Sequence, residues 1–171
     1  VTNTANGCSA TDAVTISQNT TPPVANAGAN QTLTCTTTSV SIGAAAVAGN
    51  TYAWSPATGL SNAAIAQPTA SAPNTYTLTV TNTANGCTAT DAVTISQNIT
   101  PPLANAGANQ TLTCATTSVS IGTAAVVGNT YAWSPAAGLS NAAIAQPTAS
   151  APNTYTLTVT NTANGCTATD A

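Results

Sequence analysis

Five cysteines, Cys8, Cys35, Cys87, Cys114 and Cys166, and three aspartates, Asp12, Asp91 and Asp170, are the residues of this 171-residue chain best equipped for chemistry. No Lys, Arg or His accompanies them, and the three aspartates are the whole acidic complement. General acid–base catalysis needs a His, Lys or second carboxylate in reach, and a Ser or Cys nucleophile needs a base beside it. The sequence offers no such pair, so no enzyme activity and no catalytic residue are expected. Metal binding needs clustered N, S or carboxylate ligands. Each aspartate stands alone and no Cys-x-x-Cys occurs, so neither a metal site nor a cofactor is expected. Without basic residues there is nothing to attract nucleic acid or an anionic membrane surface. No apolar run approaches the ~18–20 residues of a membrane span, and no basic n-region of a signal peptide is present. What remains is thiol chemistry, and it points to an extracellular, oxidising compartment where cysteines pair.

The cysteine spacings are a trace of a longer period. Val-Thr-Asn-Thr-Ala-Asn-Gly-Cys starts at Val1, at Val80 and at Val159, a repeat of 79 residues. The same shift carries Gln31-Thr-Leu-Thr-Cys35 onto Gln110-Thr-Leu-Thr-Cys114 and Asn50-Thr-Tyr-Ala-Trp54 onto Asn129-Thr-Tyr-Ala-Trp133. Between residues 20–92 and 99–171 the differences are mild: Thr20/Ile99, Val24/Leu103, Thr36/Ala115, Ala44/Thr123, Ala48/Val127 and Thr58/Ala137. Such self-similarity governs every local reading. A unit of this size can bury a modest core, so two small domains are expected rather than one. Boundaries fall before the stiff Pro22-Pro23 and Pro101-Pro102 pairs. Residues 1–19 then read as the final strand of a preceding repeat, 20–98 as a complete repeat, and 99–171 as a second repeat lacking its last strand.

Within a repeat the elements read as strands. Val24 to Cys35 is a long first strand with Gly28 as a kink where it switches sheets. Ser39 to Gly43 alternates, with Val40 and Ile42 on one face. Asn50 to Pro56 places Tyr52 and Trp54 on one face. Leu60 to Ala72, punctuated by Gly and Pro, suits one or two short edge strands, with a helix as the runner-up. Thr75 to Thr83 alternates strictly, with Tyr76, Leu78 and Val80 facing one way and threonines the other. Ala84-Asn85-Gly86 is a turn in which Asn-Gly supplies positive φ. Ala92 to Ser96 returns with Val93 and Ile95 inward. About seven short strands, each apolar on one face, call for two antiparallel sheets packed face to face. Tyr52, Trp54 and Tyr76, with Tyr131, Trp133 and Tyr155 in the second copy, are the expected core anchors.

These residues carry a resemblance. Pro-Val-Ala-Asn-Ala-Gly-Ala-Asn-Gln-Thr-Leu, Tyr-Ala-Trp and Asn-Thr-Tyr-Thr-Leu-Thr-Val-Thr-Asn, with Trp-Ser-Pro-Ala-Thr-Gly-Leu-Ser (Trp54 to Ser61) and Ala-Asn-Gly-Cys (Ala84 to Cys87), resemble the PKD/immunoglobulin-like tandem repeats of Bacteroidota cell-surface adhesins of the gliding-motility type. The match spans the whole repeat. Ser55-Pro56 stands where the better-known PKD pattern has an acidic Gly-Asp-Gly turn. The resemblance implies an all-β chain of tandem immunoglobulin-like, PKD-like β-sandwich domains, located at the cell surface or secreted, with export by the type 9 system. It names no ligand.

Sandwich topology then bears on the cysteines. Pairing sequence neighbours gives Cys35 with Cys87 and Cys114 with Cys166, or Cys8 with Cys35 and Cys87 with Cys114. In one sandwich, however, the turn after Cys35 and the turn before Cys87 lie at opposite ends, roughly 25 Å apart for a strand of about eight residues. A disulfide tolerates only ~4.4–6.8 Å between Cα atoms. The favoured expectation is therefore an inter-repeat bond, Cys35 with Cys166, which staples one repeat to the next. The functional expectation is a structural stalk or filament segment of a secreted, repetitive surface protein, extending an adhesive tip or forming a fibre. Its partners would be further copies of the same repeat, in cis or in a fibre. The alternative is an adhesin module that binds glycans or other surfaces directly. The threonine row of Thr75, Thr77, Thr79 and Thr81 also raises ice binding, although exposed Thr is ordinary for a strand. A further expectation concerns Ala13 to Ser17, which either belongs to a longer array or completes the second repeat of another copy by strand donation.

Overall fold

The computed structural model describes all residues from Val1 to Ala171, and they form strands and turns with no helix. Strict alternation produces the central element. In β5 (Asn74–Asn82) Tyr76, Leu78 and Val80 are buried while Thr75 and Thr77 are exposed. Around it the chain builds β1 (Gln31–Thr34), β2 (Val40–Ser41), β3 (Asn50–Ser55), β4 (Thr69–Ala70) and β6 (Thr88–Asn98). The larger sheet has the order β1-β6-β5-β3, and β2 pairs with β4 in a second, small sheet. Both sheets feed one core. Leu33, Trp54, Tyr76, Leu78, Val80, Val93 and Ile95 come from the large sheet, and Ala70, with the partly buried Val40, from the small one. This is a β-sandwich, and each fully buried large apolar side chain contributes about 1.5–3 kcal/mol.

The shift of 79 reproduces β2 to β5 as β7 (Val119–Ser120), β8 (Asn129–Ser134), β9 (Thr148–Ala149) and β10 (Thr156–Asn161), followed by β11 (Thr167–Asp170). The register is the same: Trp54 faces Leu78 across β3–β5, and Trp133 faces Leu157 across β8–β10. A second core forms from Ala106, Trp133, Ala149, Tyr155, Leu157 and Val159.

Several expectations are corrected. The first sandwich has six strands where about seven were expected, and the second, expected to lack its last strand, has five. Most of the expected first strand, Val24 to Asn30, makes no strand pairing. At Gly28, with φ 89°, the chain turns from the small-sheet side, where the Ala27 carbonyl accepts a hydrogen bond from Gly43 N at 2.8 Å, towards the edge of the large sheet. There β1 runs parallel to β6, so the large sheet is mixed rather than purely antiparallel. Leu60 to Ala72, by contrast, agrees with the favoured expectation: it contributes the short strand β4 and a single bridge from Leu60 to Ala70, and the runner-up helix does not form. Ala13 to Ser17 is not a strand, since no neighbouring strand lies beside it, and Val14 and Ile16 are 87% and 91% exposed.

Candidate functional site

The turn that ends each copy of the opening octapeptide has one geometry three times over. Asn161 N donates to the Cys166 carbonyl at 2.9 Å and Gly165 N to the Asn161 carbonyl at 2.8 Å. Asn82, Gly86 and Cys87 repeat this at 2.9 and 2.8 Å, and Asn3, Gly7 and Cys8 at 2.7 and 2.8 Å. The sequence therefore forms the turn locally, whatever surrounds it. Positive φ falls on the glycine alone and no other residue type adopts it, so the expected two-residue Asn-Gly turn is replaced by a wider loop. The asparagine is freed for another task. Its Oδ1 accepts the hydrogen bond of the cysteine amide two residues on, at 2.9 Å for both Asn85 to Cys87 and Asn164 to Cys166.

At the second turn this loop meets the first sandwich. Cys35 and Cys166 are joined by a disulfide across 131 residues, with their Cα atoms 5.1 Å apart. Cys35 N donates to the Asn164 carbonyl at 3.1 Å. The Asn164 amide donates to Asn98 Oδ1 at 3.0 Å and to the Thr100 carbonyl at 2.9 Å. Asn164 and Cys166 are each only 2% exposed. Asn98 is the last residue of β6, and Thr100 immediately precedes Pro101-Pro102. One asparagine thus grips the connecting segment on one side and the cysteine amide on the other, while the disulfide fastens the loop to the end of β1. No buried side-chain polar atom is left without a partner.

The register of β1 on β6 explains which cysteines can meet. Thr34 lies opposite Asn98, so Cys35 sits at the far end of β6 from Cys87. Ten residue steps at ~3.3 Å separate those ends by roughly 33 Å. Cys8, Cys87 and Cys114 are free thiols, with Cys8 and Cys114 exposed and Cys87 half-buried. A second contact repeats the joint without its disulfide. Asn85 Nδ2 donates to Asn19 Oδ1 at 3.2 Å and to the Thr21 carbonyl at 2.9 Å, the relation of Asn164 to Asn98 and Thr100 displaced by one period.

The aromatics occupy the cores. Trp54 and Trp133 are 4% exposed, and their indole N–H groups donate to the carbonyls of Ile65 and Ile144 at 3.0 Å. Tyr76 is fully buried with its hydroxyl 3.0 Å from the Ala72 carbonyl and 3.2 Å from that of Thr58, and burial pushes its phenol above the ordinary value. Tyr155 makes the equivalent contacts to Ala151 and Ala137. Tyr52 and Tyr131 are half-buried and accept the Val47 and Val126 amides at 2.7 Å.

Sequence reasoning missed two roles. Asn164 looked like turn punctuation, and only its recurrence beside each cysteine hinted at more. Asp91 and Asp170 looked idle. Each carboxylate accepts the amide of the buried alanine before the Gly28-type kink, Ala27 or Ala106, at 2.8 Å. One aspartate per period at a constant offset from that kink was the available signal.

No group of three or more His, Cys, Asp or Glu is placed to hold a metal ion, and no helix is long and apolar enough to cross a membrane. No protein-family model and no curated protein sequence matches the chain. Among solved structures, the human Desmocollin-1 ectodomain aligns with 84% of this chain and 34% of its own length, at 7% identity and a TM-score of 0.32. The chain thus spans about a third of that ectodomain, and likeness at this level assigns no family.

Proposed function

We propose that the chain is a structural segment of a secreted, repetitive cell-surface protein, in which tandem immunoglobulin-like β-sandwiches, each one 79-residue period, are stiffened at their joints and hold an adhesive tip away from the cell or form an extracellular fibre. The observation that carries this reading is the Cys35–Cys166 bond together with the buried Asn164 beneath it. A flexible linker needs neither. Spending a disulfide and a buried polar side chain on the contact between two sandwiches suits a protein whose task is to fix their relative direction. Near-identical neighbours fit the same reading, since repetition adds length and identical joints, whereas a catalytic or recognition domain is needed once. An oxidising exterior is the compartment in which such a bond persists. The absence of Lys and Arg removes every site for proteases that cut beside basic residues and excludes Lys–Asn isopeptide bonds, leaving disulfides as the covalent staple. The resemblance to Bacteroidota PKD-like adhesin repeats places type 9 export within this proposal. Electron microscopy of native surface material tests it: the expected result is a beaded fibre with an axial repeat of roughly 35–45 Å per sandwich. Isolated globular particles would contradict it.

A further inference from the structure

At the centre of the joint stands Asn164-Gly165, a dipeptide whose two residues can react with each other. Glycine leaves its own nitrogen unhindered, so that nitrogen can close a five-membered ring on the amide carbon of the preceding asparagine. The reactants belong to adjacent residues, which gives the reaction the advantage of an intramolecular one. Part of the required geometry is in place. Negative charge develops on Asn164 Oδ1 when its carbon is attacked, and this oxygen accepts the Cys166 amide at 2.9 Å, the position of an oxyanion donor.

Other contacts oppose the reaction. Asn164 Nδ2, the nitrogen that would leave, donates to Asn98 Oδ1 at 3.0 Å and to the Thr100 carbonyl at 2.9 Å. Asn164 is 2% exposed, so water and hydroxide reach it only when the joint opens. The attacking nitrogen, Gly165 N, donates to the Asn161 carbonyl at 2.8 Å, but that bond belongs to the turn and recurs at Gly86 and Asn82. The oxyanion contact is equally local, since Cys87 N and Asn85 Oδ1 repeat it at 2.9 Å. Opening the joint therefore frees the leaving group and admits water while the turn keeps its oxyanion donor.

We infer that Asn164-Gly165 is a self-modification site guarded by the closed joint, and that a joint held open converts, without an enzyme, to a form that does not close again. Solvent hydroxide removes the Gly165 amide proton, and the nitrogen bonds to Asn164 Cγ. Nδ2 takes a proton from water and leaves as ammonia, which restores the hydroxide. Water then opens the resulting succinimide at either carbonyl, giving aspartate, or isoaspartate with the main chain running through Cγ. The balance is one water consumed and one ammonia released, with no change of oxidation state. Either product misfits the joint. A carboxylate brings no donor to Asn98 Oδ1 or the Thr100 carbonyl, so two acceptors face a buried negative charge, and none of the 171 residues is a Lys, Arg or His that could neutralise it. Isoaspartate also adds a carbon to the main chain between residues 164 and 165, which displaces Cys166 from Cys35, now 5.1 Å away between Cα atoms. Stiffness lost during prolonged reduction is then not regained on reoxidation. The inference rests on the joint within the chain and goes beyond the stalk reading.

The test follows the purified 171-residue chain in mildly alkaline buffer, with Cys35–Cys166 intact or held reduced by a thiol. Mass spectrometry of acid-quenched chymotryptic peptides spanning residues 158–171 gives the deamidated fraction. The reduced chain is expected to deamidate at Asn164 about 30-fold faster, the factor carried by two hydrogen bonds. Asn98→Ala with the disulfide intact removes one of them and is expected to accelerate the reaction about 5-fold. After reoxidation in a glutathione buffer, the Cys35–Cys166 linked peptide is expected to carry intact Asn164, with the deamidated form confined to chains that lack the bond. Asn164→Asp, one of the two products, is expected to lower the equilibrium constant for forming that bond about 100-fold. Equal deamidation rates in the oxidised and reduced chains overturn the inference, and that comparison needs no variant. An Asn164→Asp chain that forms the bond as readily as the unmodified one overturns it as well. Either result leaves the stalk reading standing, since imaging of native fibres tests that separately.

Discussion

The side-chain amide of Asn164 donates a 3.0 Å hydrogen bond to Asn98 Oδ1, linking the turn of one sandwich to the end of the last strand of the other. Both are neutral, so the contact needs no charge and is not screened by salt. With the disulfide beside it, this pair joins the two sandwiches, and the proposed stiff joint rests on both.

Asn164→Ala removes three hydrogen bonds at a site that is 2% exposed and leaves acceptors on Asn98 and Thr100 unpaired. Chemical denaturation is expected to register a loss of about 2–3 kcal/mol. Asn85→Ala, at the more open equivalent position, is expected to cost about 1 kcal/mol or less. Equal costs would contradict the role given to the joint.

Gly165 and Gly86 have nearly the same backbone, with φ of 69° and 71°. A Cβ on Gly165 would collide with the Thr36 side chain, whereas one on Gly86 meets nothing within 4 Å. Both Ala variants share the left-handed penalty of about 1–2 kcal/mol. Gly165→Ala is expected to be the more destabilising in thermal melts, and Thr36→Ala is expected to remove the difference.

Asp91→Ala removes the acceptor for the Ala27 amide at the kink that carries the chain between sheets. The expected cost is about 1–2 kcal/mol. Faster hydrogen exchange at the Ala27 amide and along β1 should accompany it, and unchanged exchange would rule the role out.

The Tyr76 phenol is raised above 10.0 by burial. A folded value above the unfolded one means that its contribution to stability is complete below pH 10.0 and is lost as pH rises through the folded value. Alkaline melts are expected to show stability falling above pH 10, with a shallower fall in Tyr76→Phe.

Elements whose two faces meet different environments could be read from the chain. Thr75 to Val80 alternates because one face of β5 is core and the other is solvent, so pattern alone specifies the strand. The period placed β7 to β10 once β2 to β5 were assigned. The kink at Gly28 could be read from the glycine, but the half of Val24 to Cys35 before it was misread as paired strand, because that half is held by hydrogen bonds from Gly43 and to Asp91 that lie far away in sequence. Parallel pairing of β1 with β6 leaves no local mark for the same reason. At the joint, the distance between strand ends narrows the choice of cysteine partners. The part played by Asn164 could not be read, because Asn-Gly is a turn signal whether or not the asparagine reaches a neighbour.

Residual dipolar couplings on the oxidised 171-residue chain test the stiff joint most directly. A single alignment tensor fitting the amides of both sandwiches is the expected result, with the two separating in magnitude once Cys35–Cys166 is reduced and Asn164 is replaced by Ala. Two independent tensors in the chain with its disulfide intact would contradict the account.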